Sequence, residues 1–202
     1  MNPSASTPTL EATLDLTVDA LRAGKTLLYP PDTIWGIGCD ARRADAVERL
    51  YAIKERDHSK SMLILCAPEQ VECGEWRVGS EAWGIESGER PTTFILPSSV
   101  WRALLKVPVA DNLCAADGSL GIRIPRHAFC QEVIRRLGAP LVSTSANLSG
   151  RPSPRCYADI EEALRRRVDF CVPPLPPLLS EETRGSRIVR LNTDGSATLL
   201  RD

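Results

Sequence analysis

The chain has 202 residues, 25 of them Lys or Arg and 26 Asp or Glu, for a formal net charge of −1, with 43% hydrophobic and 25% charged residues. That balance is ordinary for one globular domain; it excludes wholesale disorder and argues against strong non-specific nucleic-acid binding. No apolar run approaches the ~20 residues of a membrane helix and no basic-then-apolar leader opens the chain, so a cytoplasmic protein with no membrane contact is expected.

Residues 1–10 are rich in Ser, Thr and Pro and are expected to be frayed, leaving a single domain over 11–202. Leu14, Leu16, Val18 and Leu21 suggest a first helix ending near Gly24. Thr26 to Tyr29 reads as a short strand stopped by Pro30-Pro31, and Asp32 to Cys39 as loop or irregular strand. Ala44 to Arg56 carries Val47, Leu50, Tyr51 and Ile53 at helical spacing. Met62 to Cys66 is a continuous apolar run, as expected of a strand covered on both faces. Residues 71–90 give no clear pattern. Strands follow at Thr92 to Leu96 and Leu120 to Ile124, then a helix from Ala128 to Leu137 and a strand from Pro140 to Ser143. Thr144 to Pro154 reads as a Ser/Asn/Gly/Pro loop, Asp159 to Arg167 as a helix, and Phe170 to Val172 as a strand. The Pro-rich stretch 173–183 is a long connection, a lid or a flexible segment. Ser186 to Leu191 and Ala197 to Arg201 flank Asp194-Gly195, a hairpin signal. These elements make an α/β fold with a mixed sheet.

The chemistry-bearing residues are few. Histidine occurs only at His58 and His127, and lysine only at 25, 54, 60 and 106. The seven cysteines (39, 66, 73, 114, 130, 156, 171) form no C-x-x-C pair, which argues against a disulfide framework or a zinc site and for buried thiols in a reducing compartment. Lys54 lies beside the apolar stripe of its helix, where a lysine stem covers core edge and its ammonium reaches the surface. With Arg56 and Lys60 close behind, it forms either a polyphosphate site or a solvated loop favoured by the helix dipole.

Ser119 to Ile124 alternates, with Ser119, Gly121 and Arg123 on one face. A glycine there admits a ligand to the backbone and the arginine offers a fork to a carboxylate or phosphate; an exposed face with an ordinary ion pair is the alternative. Ser143, Ser145 and Asn147 make either a polar pocket or a plain turn. No acid or histidine stands in sequence to activate a serine nucleophile. Gly36 to Ala41 fits G-x-G-x-x-A, but a dinucleotide fingerprint must follow a strand directly and open a helix, and Pro30 to Trp35 intervene here, so the match is discounted.

Tyr29 to Asp40, Ile53-Lys54-Glu55-Arg56, Gly118 to Pro125 and Ser143 to Gly150, in this order, resemble the YrdC family of threonylcarbamoyl-adenylate synthases over about Ala20 to Arg201. The resemblance implies a single YrdC-like domain, a twisted mixed β-sheet with flanking helices and a concave cationic cavity. It implies a nucleotidyltransferase that joins L-threonine, bicarbonate and ATP, with Mg²⁺, into threonylcarbamoyl-AMP and pyrophosphate. The product serves N6-threonylcarbamoyladenosine formation in tRNA, so tRNA-modification proteins are implied partners, together with weak RNA binding. By matched position, Lys54, Arg56, Ser145 and Asn147 are implied catalytic residues, and Thr33, Arg123, Ser143 and Ser186 threonine contacts. Arg56, Lys60, Ser119, Ser145, Ser153 and Arg201 are implied ATP contacts, and no metal ligand is implied. The chain departs from the family pattern at Pro31, Glu89-Arg90 and Arg187. A non-catalytic RNA-binding member of the same fold, using Arg165 to Arg167, stands as the alternative.

Overall fold

The computed structural model describes residues 8–59, 61–72, 90–178 and 184–202. Among the described residues nine strands form one mixed sheet in the order β7-β1-β2-β6-β3-β5-β4-β8-β9. They are β1 (Leu27–Tyr29), β2 (Gly36–Gly38), β3 (Leu63–Leu65), β4 (Thr92–Leu96), β5 (Leu120–Arg123), β6 (Leu141–Ser145), β7 (Phe170–Cys171), β8 (Arg187–Leu191) and β9 (Ala197–Arg201). Parallel pairs (β1 with β7, β3 with β5, β4 with β8) lie among antiparallel ones, so the mixing runs through the sheet and not only through the terminal hairpin.

Helix α1 (Leu10–Arg22) begins at Thr9, whose hydroxyl accepts from the Ala12 amide. Its buried Leu14, Val18 and Leu21 pack with Phe129, Val133 and Leu137 of α4 (Ala128–Leu137) over Leu27, Leu65 and Leu141 of the sheet. Leu16, on the far side of α1, is 52% exposed and takes no part in the core. The opposite sheet face presents Leu28, Ile37, Ile64, Ile122 and Val142 to α2 (Ala44–Lys54) through Val47 and Leu50. Alternation in β6 divides the two layers, Leu141 going to one and Val142 to the other.

Several elements differ from the sequence expectation. Gly36–Gly38 is a regular strand paired on both sides where the sequence suggests loop or irregular strand, and α2 opens only at Ala44, so the G-x-G-x-x-A match opens no helix, as the intervening Pro30 to Trp35 imply. Strand β6 runs on to Ser145, because Thr144 and Ser145 pair with Ile37 and Gly36 where turn propensity alone suggested a loop. The helix expected over 159–167 is a 3₁₀ turn (Tyr157–Asp159) and a single α turn, α5 (Glu162–Arg165). A short α3 (Ser98–Leu104), burying Val100, Trp101 and Leu104, has no counterpart in the sequence reading. Cys39, Cys66 and Cys130 are buried, and burial pushes their thiols upward, whereas Cys156 is exposed. Among the described residues no helix is long and apolar enough to cross a membrane. Of the Pro-rich connection, Leu175 and Leu178 are buried within the α1–α4 layer; residues 179–183 lie outside the described ones.

Candidate active site

The face that α1 and α4 cover at Leu27, Leu65 and Leu141 continues uncovered across the sheet. There Ser143, Leu63, Gly121 and Ile95 stand in register on four successive strands, β6, β3, β5 and β4. All four line one cleft, with Gly36, Thr93, Ser145 and Arg123 beside them. Small side chains at 36, 121 and 143 leave this part of the face open, which is why a cleft forms here and not under the leucines.

The rim comes from the connections. Thr33 enters from the loop after β1, Arg56 and Ser61 from the turn after α2, Ser153 from the loop after β6, and Ser186 and Arg201 from the far edge. Among the described lining residues the charged ones are Arg56, Arg123 and Arg201, with no carboxylate. Burial holds the Arg201 cation below its usual range, and the charges of Arg90 and Arg123 add to that. Three guanidinium groups are what the described lining offers to an anion.

Thr33, Arg56, Arg123, Ser143, Ser145, Ser153, Ser186 and Arg201 thus share one wall. Arg123 is 3% exposed at its side chain; its Nη1 donates to Thr33 Oγ1 at 3.1 Å and its Nη2 lies 3.4 Å from Asp32 Oδ1. Arg201 donates from Nε and Nη2 to the Ser186 carbonyl at 2.9 and 2.7 Å, and the Ser186 hydroxyl meets Thr93 Oγ1 at 2.7 Å. Arg56 donates to the Ser61 carbonyl at 2.8 Å.

Lys54, Ser119 and Asn147 are not on the wall. Lys54 is 1% exposed, which corrects the expectation of a stem reaching to the surface. Its Nζ donates to the carbonyls of Ser145 and Asn147 at 2.5 and 2.7 Å, and its own carbonyl accepts from the Ser149 amide at 2.9 Å. Burial, then the neighbouring Arg56, pushes its ammonium down to about 7. Glu55 follows in the left-handed conformation at φ 51°, a strained turn for a non-glycine residue that ends α2 between buried Lys54 and cleft-lining Arg56. Asn147 donates to the carbonyls of Leu148 and Arg151, while its Oδ1 is buried without a partner. The Ser119 hydroxyl donates to Asp117 Oδ1 at 2.6 Å within its own turn. Lys60 and Glu89 lie outside the described residues.

Three residues of the site had no chemical signal in the sequence reading. Asp32 looks like a loop acid; only its position next to Thr33 hints at a partner. Thr93 looks like any strand threonine. Tyr29, 1% exposed at the end of β1, donates from its phenol to Ser143 Oγ at 2.7 Å. It reaches past β2, two strands away, because β2 carries glycines. A Cβ at Gly36 would lie 3.6 Å from the Tyr29 ring, and one at Gly38 would lie 3.1 Å from it while overlapping the Val142 carbonyl. The glycine pair that mimics a nucleotide motif is a slot for this ring.

A family model described as telomere recombination, Sua5_yciO_yrdC, matches residues 19–202. A threonylcarbamoyl-AMP synthase of Xanthomonas campestris pv. campestris (strain B100) is 36% identical over 162 residues, 77% of this chain and 82% of that protein. The structure of P. abyssi Sua5 complexed with L-threonine superposes with a TM-score of 0.75 at 22% identity, over 97% of this chain and 55% of that longer one. E. coli YciO superposes with a TM-score of 0.71 at 20% identity, over 97% of this chain and 91% of its own. These two likenesses show the fold.

Proposed function

The chain belongs to the Sua5/YciO/YrdC family, whose model spans residues 19–202, and on that premise we propose that it makes threonylcarbamoyl-AMP and pyrophosphate from L-threonine, bicarbonate and ATP. The observation that carries this reading is the cleft wall: three arginines converge with hydroxyls on an open sheet face, and no described lining residue is acidic. Such a wall suits a substrate set that is anionic at both ends, an amino-acid carboxylate and a triphosphate.

In this reading Arg123, flanked by Thr33 and Ser143, takes the carboxylate, and Asp32 fixes the direction of the guanidinium. Ser186, held by Arg201 and Thr93, borders the same substrate. Arg56 and Arg201, with Lys60, Ser145 and Ser153, take the nucleotide. Lys54 acts as a positioning residue, tying down the loop that carries Ser145 and Asn147. The threonine ammonium gives up a proton, and the freed amine adds to the bicarbonate carbon with loss of water, giving a carbamate. A carbamate oxygen then displaces pyrophosphate at the α-phosphorus. Neither step needs a protein nucleophile; both need two anions held together with their charge offset. Mg²⁺ would arrive on the phosphates and keep phosphate and water ligands, since the described wall offers it no carboxylate. The adenylate is then passed in the cytoplasm to proteins that modify tRNA.

Pyrophosphate release measured with ATP, L-threonine and bicarbonate, leaving out each in turn, tests the proposal. Release is expected only when all three are present. Release that ignores threonine, or none, overturns it; salt-sensitive RNA binding without turnover would favour the RNA-binding alternative.

A further inference from the structure

The Tyr29–Ser143 contact has a direction. A phenol owns one hydrogen, and burial pushes this one well above its usual titration range, so it stays protonated. The Tyr29 ring is 1% exposed within the α1–α4 layer, and Ser143 Oγ, 2.7 Å away, receives that hydrogen. The reverse arrangement, Ser143 donating to the phenol, would strand the buried phenol hydrogen, which has no other partner among the described residues, the costlier choice. Ser143 Oγ therefore accepts from behind, and its own single hydrogen is left for another partner. Among the described residues none takes it. Ser143 is 5% exposed and lines the cleft, and Gly36 keeps the approach open, since a Cβ there would sit 3.5 Å from Ser143 Oγ.

We propose that Tyr29 is a positioning residue that fills one of the two Ser143 lone pairs from behind and turns the serine hydrogen into the cleft, so that the substrate group seated on Ser143 is an acceptor oxygen in preference to an ammonium. Resting on the function proposed above, that oxygen belongs to the amino-acid carboxylate or to the carbamate made from its amine. The device favours one orientation of the amino acid: turned end for end, it would set an ammonium beside the Arg123 cation and leave the Ser143 hydrogen without an acceptor.

The test uses Tyr29→Phe, which keeps the ring and removes the donor, with L-threonine and L-threoninol (the carboxylate replaced by a hydroxymethyl group) as calorimetric probes of the full-length protein. In wild type, L-threonine should bind far more tightly than L-threoninol. In the variant, threonine affinity should fall about fivefold to tenfold, the scale of one ordinary neutral hydrogen bond. Threoninol and ATP affinities should hold, so the discrimination between the two amines shrinks by the same factor. A ring-packing role would shift both amines together, and an unchanged ratio overturns the proposal. In the background of Ser143→Ala, adding Tyr29→Phe should cost no further threonine affinity and should raise the thermal midpoint by relieving the stranded phenol; a further loss of affinity also overturns it. Wild-type protein that binds no threonine overturns the synthase reading itself, and this inference with it.

Discussion

The Asp32 carboxylate stands 3.4 Å from the Arg123 guanidinium, and their side chains are only 9% and 3% exposed. The second carboxylate oxygen accepts from the Arg126 amide at 2.9 Å, so a loop acid is pinned beneath the one cleft arginine that is almost fully enclosed. The pair leaves Asp32 Oδ1 and Arg123 Nε without hydrogen-bond partners, so its geometry is far from saturated. Its place is understandable as an orienting device more than as a source of stability.

Asp32→Asn removes the counter-charge while keeping the shape. Breaking one side of a buried pair costs about 3–5 kcal/mol, or roughly a 10 °C fall in thermal midpoint for a chain of this size. Pairing the change with Arg123→Met should recover much of the midpoint and none of the turnover. Calorimetric or fluorescence melts of the two variants check this, and an unmoved midpoint for Asp32→Asn would show that the pair is solvated.

Lys54→Met should destabilise, contrary to what a surface position would predict. The two carbonyls that Lys54 holds would lose their donor, at about 1–3 kcal/mol for each buried group left unpaired. Pyrophosphate release should fall at least tenfold as the Ser145–Asn147 loop loosens. Melting temperature and turnover measured on the same preparation give both effects.

The same lysine sets a pH dependence. Its folded value is pushed down to about 7, against an ordinary 10.5 in the unfolded chain. Between those two values the unfolded chain holds more protons, so this group makes stability rise with pH, by at most ~1.4 kcal/mol per pH unit. Below about pH 7 the ammonium is charged in both states and the full burial penalty is present. Urea midpoints at pH 7 and 9.5 should therefore be further apart in wild type than in Lys54→Met; equal spacing would remove Lys54 as the cause.

The two glycines of β2 should respond differently to alanine. At Gly38 the added Cβ overlaps the Val142 carbonyl, so the strand pair must separate and the protein should be grossly destabilised. At Gly36 the nearest atom would be the Thr144 carbonyl at 3.3 Å, with Ser143 Oγ at 3.5 Å, which the fold can absorb while access to Ser143 narrows. Gly36→Ala should keep a near-native melt and lose turnover, whereas Gly38→Ala should fail in the melt itself.

Arg201→Lys keeps the charge and loses the fork that grips the Ser186 carbonyl twice. Because β9 is an edge strand exposed along its length, the midpoint should move by only about 2 °C. The Michaelis constant for ATP should rise about tenfold, with a smaller rise for threonine through the slackened Ser186. Steady-state kinetics with each substrate varied separates the two.

Much of the site was legible because it depends on local periodicity. Alternation put Gly121 with Arg123 and Ser143 with Ser145, and those pairs do share the cleft face. What local pattern could not supply was the neighbour across the sheet. Ser119 obeys the alternation, yet Asp117, two residues away, captures its hydroxyl first. Lys54 obeys its helical spacing, yet the loop after β6 folds over it and seals it from water.

By itself the sequence determined the periods, the helical stripe of Val47, Leu50 and Lys54 and the two-residue repeats of β5 and β6, because φ/ψ sterics and side-chain direction act within a few residues. It also determined where small residues interrupt an apolar face, and hence that an opening exists. Only the tertiary structure decided what fills or borders that opening. Tyr29 reaches Ser143, Asp32 meets Arg123, and Arg201 grips Ser186 across separations of 114, 91 and 15 residues, given by their positions in the chain. Those meetings follow from strand order, which is set by burying two hydrophobic layers at once, a property of the whole chain and of no segment within it.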